Sequence, residues 1–250
     1  MSGPTSTRHA WLIGASHGIG RALAEQLAAE GWQLTLSART PGPLLEVASP
    51  LSARALPLDA TDPQALHEAA QRVFQDTPPQ LVLMNVGDYQ PMPLEQFDVA
   101  LFERLNRSNY LAAVYLLDAV LPRMRDAGGG QLLLNASASA YCGLPNAAPY
   151  SAPKAALLNM AESLQPQLQA WNIQLRVINP GFVRSRLTAR NDFPMPFLMD
   201  PQQAAERILR GLHRNSFEIS FPRRLIWLLK LLRCLPYPLY FALMRKVAGQ

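Results

Sequence analysis

Cysteine, glycine and charged residues are scarce in this chain of 250 residues. Two cysteines, Cys142 and Cys234, cannot form a disulfide framework, which favours a reducing compartment. Fourteen glycines exclude a collagen-like repeat. A composition of 49% hydrophobic and 16% charged residues excludes a disordered chain and is sufficient for one large globular domain.

Long uncharged apolar runs are also missing. No stretch of roughly 18 such residues occurs, so we expect no membrane-spanning helix. The segment Met1 to His9 is polar and lacks the apolar centre of a secretory leader. These two features predict a cytoplasmic protein.

The net charge of +5 is confined to one end of the chain. No acidic residue follows Glu218, and the cations beyond it are Arg223, Arg224, Lys230, Arg233, Arg245 and Lys246. The preceding part has 17 basic and 18 acidic residues and is almost neutral. Because phosphate backbones are bound by basic surfaces, we expect no nucleic-acid partner.

Short apolar runs alternate with longer segments of helical period, the pattern of a parallel sheet covered on both faces. The predicted strands are Ala10 to Gly14, Gln33 to Ser37, Arg54 to Pro57, Gln80 to Met84, Gln131 to Ala136 and Gln174 to Ile178. Asp62-Pro63 and Asp200-Pro201 predict helix starts, and three glycines, 128–130, end a long helix that begins near Leu101. The predicted fold is an α/β doubly wound, Rossmann-type parallel sheet.

We divide the chain into one α/β domain, residues 1–222, and a basic helical extension, residues 223–250. Residues 184–199 mix Pro, Phe, Met and polar residues without a period. They are either a mobile lid over a site or an irregular surface connection. The apolar residues Phe193, Met195, Phe197 and Leu198 in this segment predict an apolar pocket.

A glycine-rich turn follows the first predicted strand and opens a helix. It consists of Gly14, Ala15, Ser16, His17, Gly18, Ile19 and Gly20. Glycines there let the backbone approach a pyrophosphate, while the helix N-terminus supplies N–H donors. The alternative is a turn whose glycines are needed only for packing.

The end of the second strand indicates which dinucleotide binds. No carboxylate occurs between Gln33 and Pro43, where one would bind an adenosine ribose, and Arg39 offers a guanidinium suited to a 2′-phosphate. This favours NADP (NADPH) over NAD. The alternative is that Arg39 is simply a solvated surface residue.

Tyr150 and Lys154 are four residues apart at a predicted helix start and therefore share one face. A neighbouring cation favours the phenolate and would lower the tyrosine pKa, so the pair could exchange a proton with a carbonyl or alcohol oxygen. Taken alone, such a pair can also be coincidental.

With these motifs in this order, residues 8–215 resemble the short-chain dehydrogenase/reductase (SDR) family. The resemblance implies cofactor contacts from Asp59 and Ala60 and from the residues after the fourth and sixth strands. Those residues are Asn85, Val86, Gly87, Pro180, Gly181, Val183 and Ser185. Tyr150 and Lys154 would also touch the cofactor, and His17 is either a phosphate contact or an exposed loop residue.

The resemblance also implies a catalytic set of Asn109, Ser137, Tyr150 and Lys154. Ser137 lies 13 residues before Tyr150, as in the family, with Ser139 as a competitor; Asn109 fits its place better than Asn106. The implied reaction is direct hydride transfer between a nicotinamide and a ketone or secondary alcohol, an NADP(H)-dependent oxidoreductase activity. No metal is implied, and the four histidines are dispersed.

The C-terminal extension predicts an amphipathic helix, with Leu225, Leu228, Leu229, Leu232 and Leu235 on one side and Arg223, Lys230 and Arg233 on the other. Pro236 and Pro238 break it. Residues 223–246 either contact a membrane, with Trp227 and Tyr240 at headgroup level, or pack on the protein body or a partner subunit.

We expect a small carbonyl or alcohol substrate, apolar or lipid-like if the membrane contact exists. The long helices with Asn109 and Tyr150 resemble those through which family members form homodimers or homotetramers. Two other functions are possible: a nucleotide-binding redox sensor or scaffold without turnover, and a membrane-peripheral interaction protein.

Overall fold

The computed structural model describes residues 8–191, 193–214 and 216–247. Its strands are β1 His9–Ile13, β2 Gln33–Ser37, β3 Arg54–Ala55, β4 Leu81–Met84, β5 Gly130–Asn135, β6 Ile173–Pro180 and β7 Glu218–Phe221. Its α-helices are α1 Gly18–Ala29, α2 Pro41–Ala48, α3 Pro63–Asp76, α4 Val99–Asn106, α5 Ala112–Asp126, α6 Ala148–Leu168, α7 Pro201–Leu212, α8 Arg223–Arg233 and α9 Tyr237–Val247.

The strands form one parallel sheet in the order β3-β2-β1-β4-β5-β6-β7. Successive side chains of β1 enter different cores: Trp11 and Ile13 pack in one, Ala10 and Leu12 in the other. Because both faces are covered, most side chains of the central strands are buried and apolar. The predicted doubly wound fold is confirmed: the direction in which successive strands are added to the sheet reverses between β1 and β4, and the carboxyl ends of these two parallel strands open a crevice there.

Several predicted bounds shift. β7 adds a seventh strand to the six predicted and pairs with β6, while β3 keeps only two residues. The long predicted helix is α4 and α5, joined by a π-helical segment, Arg107–Leu111. The three glycines after α5 have φ values of 90°, 105° and 142°, which side-chain-bearing residues rarely adopt, and they end the helix as predicted.

Both predicted aspartate caps are confirmed. The Asp62 carboxylate accepts hydrogen bonds from the N–H groups of Gln64 and Ala65 at the start of α3. Asp200 forms a capping box with Gln203 at the start of α7. These contacts satisfy N–H groups that a helix start otherwise leaves without partners.

The described part of segment 184–199, which excludes residue 192, contains one short 3₁₀ turn, Thr188–Arg190, and no α-helix. A bridge between Val183 and Met199 closes its two ends. The Arg184 side chain donates to Asp200 at 2.9 Å. The segment is therefore a closed loop anchored at its base.

The extension divides its apolar residues between two faces. Leu225, Ile226 and Leu229 of α8 are at most 6% exposed and pack against the protein body, whereas Leu228, predicted on the same side, is 53% exposed. The predicted stripe is therefore wrong at Leu228, and its buried members follow the body-packing alternative. The predicted break is confirmed, since α8 ends before Pro236. Within the described ranges, no helix is long and apolar enough to cross a bilayer.

Candidate active site

The glycine-rich turn lies at the crevice between β1 and β4. Gly14 has φ of 90°, and a Cβ there would lie 2.9 Å from the Asn85 carbonyl carbon. A Cβ on Gly20 would lie 2.2 Å from the Gly14 oxygen, well inside van der Waals contact. Both positions therefore require glycine, and the turn presents bare backbone to the crevice.

The start of α1 has donors available for an anion. His17 is its N-cap residue but makes no side-chain capping bond, unlike the aspartates before α3 and α7. Ser16 Oγ lies 2.9 Å from His17 Nδ1, and Ile19 packs inward against the core. Free N–H groups and the helix dipole at this end suit the pyrophosphate of a dinucleotide.

A second cation reaches this turn from segment 184–199. An Arg186 Nη2 atom lies 3.2 Å from His17 Nδ1. Burial first, and then the positive charges of Arg186 and Arg21, lower the pKa of His17. Ser185, beside Arg186, approaches Gly18, whose added Cβ would lie 3.9 Å from the serine Cβ. No local pattern predicts the Arg186 contact, because it joins residues 169 positions apart.

The adenosine end is open and basic. Arg39, directly after β2, is exposed and, in the part of the chain described, pairs with no carboxylate. Asp59 Oδ1 accepts from the Thr61 backbone and hydroxyl, at 2.9 and 2.8 Å, and Ala60 between them is buried. An exposed guanidinium without a nearby acid fits a 2′-phosphate.

Two asparagines connect the glycine-rich turn to Lys154 through a chain of hydrogen bonds. Asn85 Nδ2 donates to the Gly14 oxygen at 2.9 Å, and Asn135 Nδ2 donates to Asn85 Oδ1 at 2.7 Å. The Asn135 carbonyl in turn accepts from Lys154 Nζ at 2.8 Å. Val86, next to Asn85, packs against the core. Sequence reasoning missed Asn135, although a polar residue ending a buried strand was an available signal.

Asn109 lies within the π-helical segment and is 2% exposed. Its side chain pairs with the backbone of Asp88, donating to the carbonyl at 2.8 Å and accepting from the N–H at 3.3 Å. A Cβ on Gly87 would lie 3.0 Å from Asn109 Oδ1 and 3.6 Å from Lys154 Nζ. Asn106 is exposed. The geometry thus brings Asn109, and not Asn106, to Lys154, and π-helical turns are frequent at functional sites.

Ser137 is the serine directed toward Tyr150. The backbone N–H and the hydroxyl of Ser139 both donate to Ser137 Oγ, at 3.2 and 3.0 Å, because a 3₁₀ turn begins at Ala138. Ser139 therefore does not continue an extended strand. With these bonds accepted, the Ser137 hydroxyl retains its own proton for donation.

Lys154 is buried and Tyr150 is half-buried, and this corrects the predicted pKa shift. Lys154 Nζ lies 5.8 Å from the Tyr150 ring centre and is bonded to Asn135. Burial raises the pKa of Tyr150, and the hydrogen bond with Ser137 only partly offsets it. Burial also lowers the pKa of Lys154 to about 7. Desolvation by burial is the largest cause for both groups, because it disfavours the charged form of each.

α6 holds Tyr150 and Lys154 one turn apart and begins at Ala148, so Pro153 lies inside the helix. The ring of Tyr89, after Gly87, meets the Tyr150 ring edge to face at 5.1 Å. Tyr89 was missed because no local pattern relates it to a residue 61 positions later.

The loop after β6 places the last predicted cofactor residues. Gly181, directly after Pro180, donates its N–H to the Phe221 carbonyl at 2.7 Å, and Val183 is buried. Ser185 N–H donates to Thr188 Oγ1 at 2.9 Å. These contacts fix the loop beside the glycine-rich turn.

Asp88 links the crevice to segment 184–199. Its carboxylate pairs with Arg104 of α4 and, at 3.3 Å, with Arg190, whose guanidinium also donates to the Tyr89 carbonyl. Three charged residues distant in sequence therefore meet beside Tyr150. Over the described ranges, no three His, Cys, Asp or Glu side chains converge as metal ligands would.

Comparison with known proteins identifies the family of the chain. The family profile described as short chain dehydrogenase matches residues 8–193. The chain belongs to this family. An uncharacterized oxidoreductase of Myxococcus xanthus is 33% identical over 248 residues, covering 97% of this chain and 98% of that protein. One from Staphylococcus aureus strain MW2 is 29% identical over 219 residues, 84% and 94% of the two chains. The protein is therefore an oxidoreductase of the short-chain dehydrogenase family.

Two solved structures share the fold. A short-chain dehydrogenase from Burkholderia cenocepacia in complex with NADP has a TM-score of 0.85 at 22% identity, covering 95% of this short-chain dehydrogenase and 98% of that chain. A short-chain dehydrogenase from Sphingobium yanoikuyae in complex with NADPH has a TM-score of 0.79 at 26% identity, covering 86% and 88%.

Proposed function

We propose that this short-chain dehydrogenase is an NADP(H)-dependent carbonyl reductase or alcohol dehydrogenase, with Tyr150 as the proton donor and acceptor. The observation that carries the proposal is the convergence of the Tyr150 and Ser137 side chains beside buried Lys154. A protein that only bound a nucleotide would have no chemical use for this set. The names of two structural relatives, which include NADP and NADPH, support the choice of cofactor.

The residues proposed to hold the dinucleotide lie at or after the carboxyl ends of β1 to β4 and β6 in the sequence, except Tyr150 and Lys154, which lie on α6. The glycine-rich turn and the start of α1 would hold the pyrophosphate, and Arg39 the 2′-phosphate. The remaining contacts would come from Asp59, Ala60, Asn85, Val86, Gly87, Tyr150, Lys154, Pro180, Gly181, Val183 and Ser185. When bound, the nicotinamide supplies or accepts the hydride.

The side chains on the substrate side have separate tasks. Ser137 donates its hydroxyl proton to the substrate oxygen and orients it. Because burial keeps the pKa of Tyr150 raised, its hydroxyl is protonated at neutral pH and can act as the acid that reduction of a carbonyl requires. Lys154, whose pKa is lowered to about 7, would replace that proton, and Asn109 lies beside it near Gly87.

The substrate is proposed to be an apolar ketone or secondary alcohol. The Phe182 ring, after Gly181, meets the Phe193 ring of segment 184–199 at 5.9 Å. Two aromatic side chains beside the loop give the cleft an apolar wall.

The decisive experiment measures NADPH absorbance during turnover of a panel of ketones and alcohols. We expect Tyr150→Phe to reduce kcat by on the order of 10² to 10⁴-fold, since it removes the acid–base group. Tyr237→Phe, on exposed α9, is the matched control and should leave kcat for water-soluble substrates unchanged. Turnover that survives in Tyr150→Phe would refute the mechanism. Nucleotide binding without turnover of any substrate would favour the sensor or scaffold function.

Cofactor choice is tested at Arg39. We expect a lower KM for NADPH than for NADH, and a selective rise of the NADPH value in Arg39→Asp, because a carboxylate repels the 2′-phosphate. Arg72→Gln, another exposed arginine, is the control. A preference of the parent protein for NADH would overturn the NADP assignment.

Assembly and location complete the proposal. We propose a homodimer or homotetramer formed through the helices that carry Asn109 and Tyr150, and a cytoplasmic location. Peripheral contact of residues 223–246 with a membrane stays a prediction within this proposal.

A further inference from the structure

The outer surface of α8 and α9 is unusually apolar. Eight of the fifteen large apolar side chains exposed among the described residues lie between 223 and 247, so exposure is concentrated in one short segment. They are Trp227, Leu228, Leu231, Tyr237, Leu239, Phe241, Leu243 and Val247. A concentration of this kind marks a surface that binds something.

This outer surface is separate from the face that packs on the body. Leu225, Ile226 and Leu229 already fill the inner face, and a Cβ on Gly181 would lie 2.6 Å from Leu225 Cδ2. Polar contacts fix the extension further: Lys230 pairs with Glu218, and Arg233 donates to the Tyr141 carbonyl at 3.0 Å. The extension is therefore already packed against the protein body, and its outer apolar residues lie on the opposite, exposed side.

The outer surface also includes positively charged side chains. Arg224 precedes Trp227, Leu228 and Leu231 by three, four and seven residues, so all four share one helix face. On α9, the Tyr237 and Phe241 rings stack at 5.5 Å.

The α9 row ends in another cation. Arg245 follows Phe241 by one helical turn. Of the extension's cations, Lys230 is the one that pairs with a carboxylate within the described ranges, and no acidic residue follows Glu218 in the sequence. The outer surface thus combines aromatic and aliphatic groups with uncompensated positive charge.

We propose that this outer surface, defined by Arg224, Trp227, Leu228, Leu231, Tyr237, Phe241 and Arg245, docks on an anionic lipid bilayer. Apolar side chains enter the headgroup boundary while the arginines meet lipid phosphates, and tryptophan and tyrosine favour this depth. A second copy of the chain fits less well. In a two-fold contact the same patch faces itself, and its arginines would meet arginines without any acid to neutralise them.

The position of the extension relative to the cleft indicates the class of substrate. This inference rests on the proposed function. The inner face of α8 packs against Tyr141 and Phe182, which flank the loops carrying Ser137 and Gly181, and the Tyr240 hydroxyl of α9 donates to the Gly143 carbonyl. Docking would therefore hold the cleft close to the bilayer. The substrate class is a carbonyl compound or alcohol dissolved in the membrane.

The test uses the full chain and substitutions on the outer surface only, since truncation after Pro222 would uncover the body residues beneath α8. Vesicles of phosphatidylcholine alone, and of an equimolar mixture with phosphatidylglycerol, are sedimented with the protein at low and high salt. We expect sedimentation with the anionic vesicles that weakens with salt. Trp227→Gln/Leu231→Gln and Arg224→Gln/Arg245→Gln should each weaken it by about tenfold or more.

Two single variants are the controls: Leu45→Gln on α2 and Arg72→Gln on α3, both exposed. They should bind vesicles as the parent protein does. Equal binding by parent and outer-surface variants would overturn the proposal, as would a loss of self-association in those variants without any vesicle binding by the parent.

A second arm addresses the substrate class. Turnover of a long-chain ketone held in anionic vesicles should fall in Trp227→Gln/Leu231→Gln, while turnover of a short water-soluble ketone is unchanged. Equal loss on both ketones would overturn the link to a membrane-dissolved substrate. Vesicle sedimentation needs neither nucleotide nor substrate, so failure of docking and failure of the proposed function are distinguished.

Discussion

Lys154 Nζ lies 5.8 Å from the centre of the Tyr150 ring, and the lysine side chain is 3% exposed. The amine has one hydrogen-bond partner, the Asn135 carbonyl, and no carboxylate contacts it within the described ranges. Protonation of a lysine amine in this environment lowers the free energy of unfolding, and this effect can be measured in the protein without nucleotide.

We expect stability to rise with pH because of Lys154. Its pKa is about 7 in the folded chain and 10.5 when unfolded, so between these values the unfolded chain binds more protons. The charging penalty is complete below pH 7 and is lost as pH rises toward 10.5. Lys154→Met should therefore be more stable than the parent at pH 6, with an advantage that shrinks by up to about 1.4 kcal/mol per pH unit above pH 7. Urea unfolding at several pH values measures it.

Lys246→Met, on the exposed end of α9, controls for the loss of a cation and should show no such trend. A constant difference between Lys154→Met and the parent from pH 6 to pH 10 would contradict the assignment of a neutral buried amine.

Gly20→Ala tests the glycine cradle. The added Cβ would lie 2.2 Å from the Gly14 oxygen and 2.7 Å from Asn85 Nδ2, so the turn and the asparagine must shift. We expect a loss of about 1–3 kcal/mol in the free energy of unfolding, together with at least tenfold weaker NADPH binding by fluorescence titration. Gly42→Ala on α2, whose Cβ meets nothing within 4 Å, should leave binding intact. Normal NADPH affinity in Gly20→Ala would be incompatible with the proposed cradle.

Arg186→Met should raise the pKa of His17. The arginine Nη2 atom lies 3.2 Å from His17 Nδ1, and its charge opposes protonation of the ring. The titration of His17 followed by NMR should therefore move to higher pH, and the KM for NADPH should rise because one cation is lost near the pyrophosphate turn. Arg207→Met on α7 is the comparison. An unchanged His17 titration would show that the two side chains do not meet in solution.

Glu218→Gln should loosen α8. Burial raises the pKa of Glu218, but hydrogen bonds from Lys230, Tyr141 and Asn179 outweigh it and hold the pKa below its usual value. This carboxylate therefore stabilises the docked extension at neutral pH, and the stabilisation is lost as pH falls through the lowered pKa. The protection factors of the amides of residues 223–233 against hydrogen exchange should fall in Glu218→Gln, and in the parent protein as the pH is lowered.

Glu206→Gln, which removes an exposed partner of Arg210 within α7, should not change exchange in residues 223–233. Identical exchange in the parent and in Glu218→Gln would mean that the apolar contacts alone hold α8.

The sequence was sufficient for features with a local signal. Strand β2 is found at the predicted bounds, and Asp62 and Asp200 cap the helices they were expected to cap, since a strand period and a cap depend on neighbouring residues. The family resemblance placed Ser137 and Tyr150, which the structure brings together. The catalytic roles of these residues stay predictions.

What failed depended on distant contacts. The expected fall in the Tyr150 pKa was wrong because neither its burial nor that of Lys154 can be read from a four-residue spacing. The stripe on α8 was misassigned at Leu228 because two faces of that helix are apolar, and contacts with distant residues such as Tyr141 and Gly181 determine which face is inner. The Asp88 pairs with Arg104 and Arg190 join three separate segments and have no local pattern.

The uncapped first turn of α1 has a consequence beyond catalysis. A helix N-terminus whose N–H groups are satisfied by a bound ligand is less stable when the ligand is absent. A ligand that binds only the folded chain shifts the folding equilibrium toward that state. The resistance of this protein to proteolysis should therefore increase with the concentration of the nucleotide that we propose it binds.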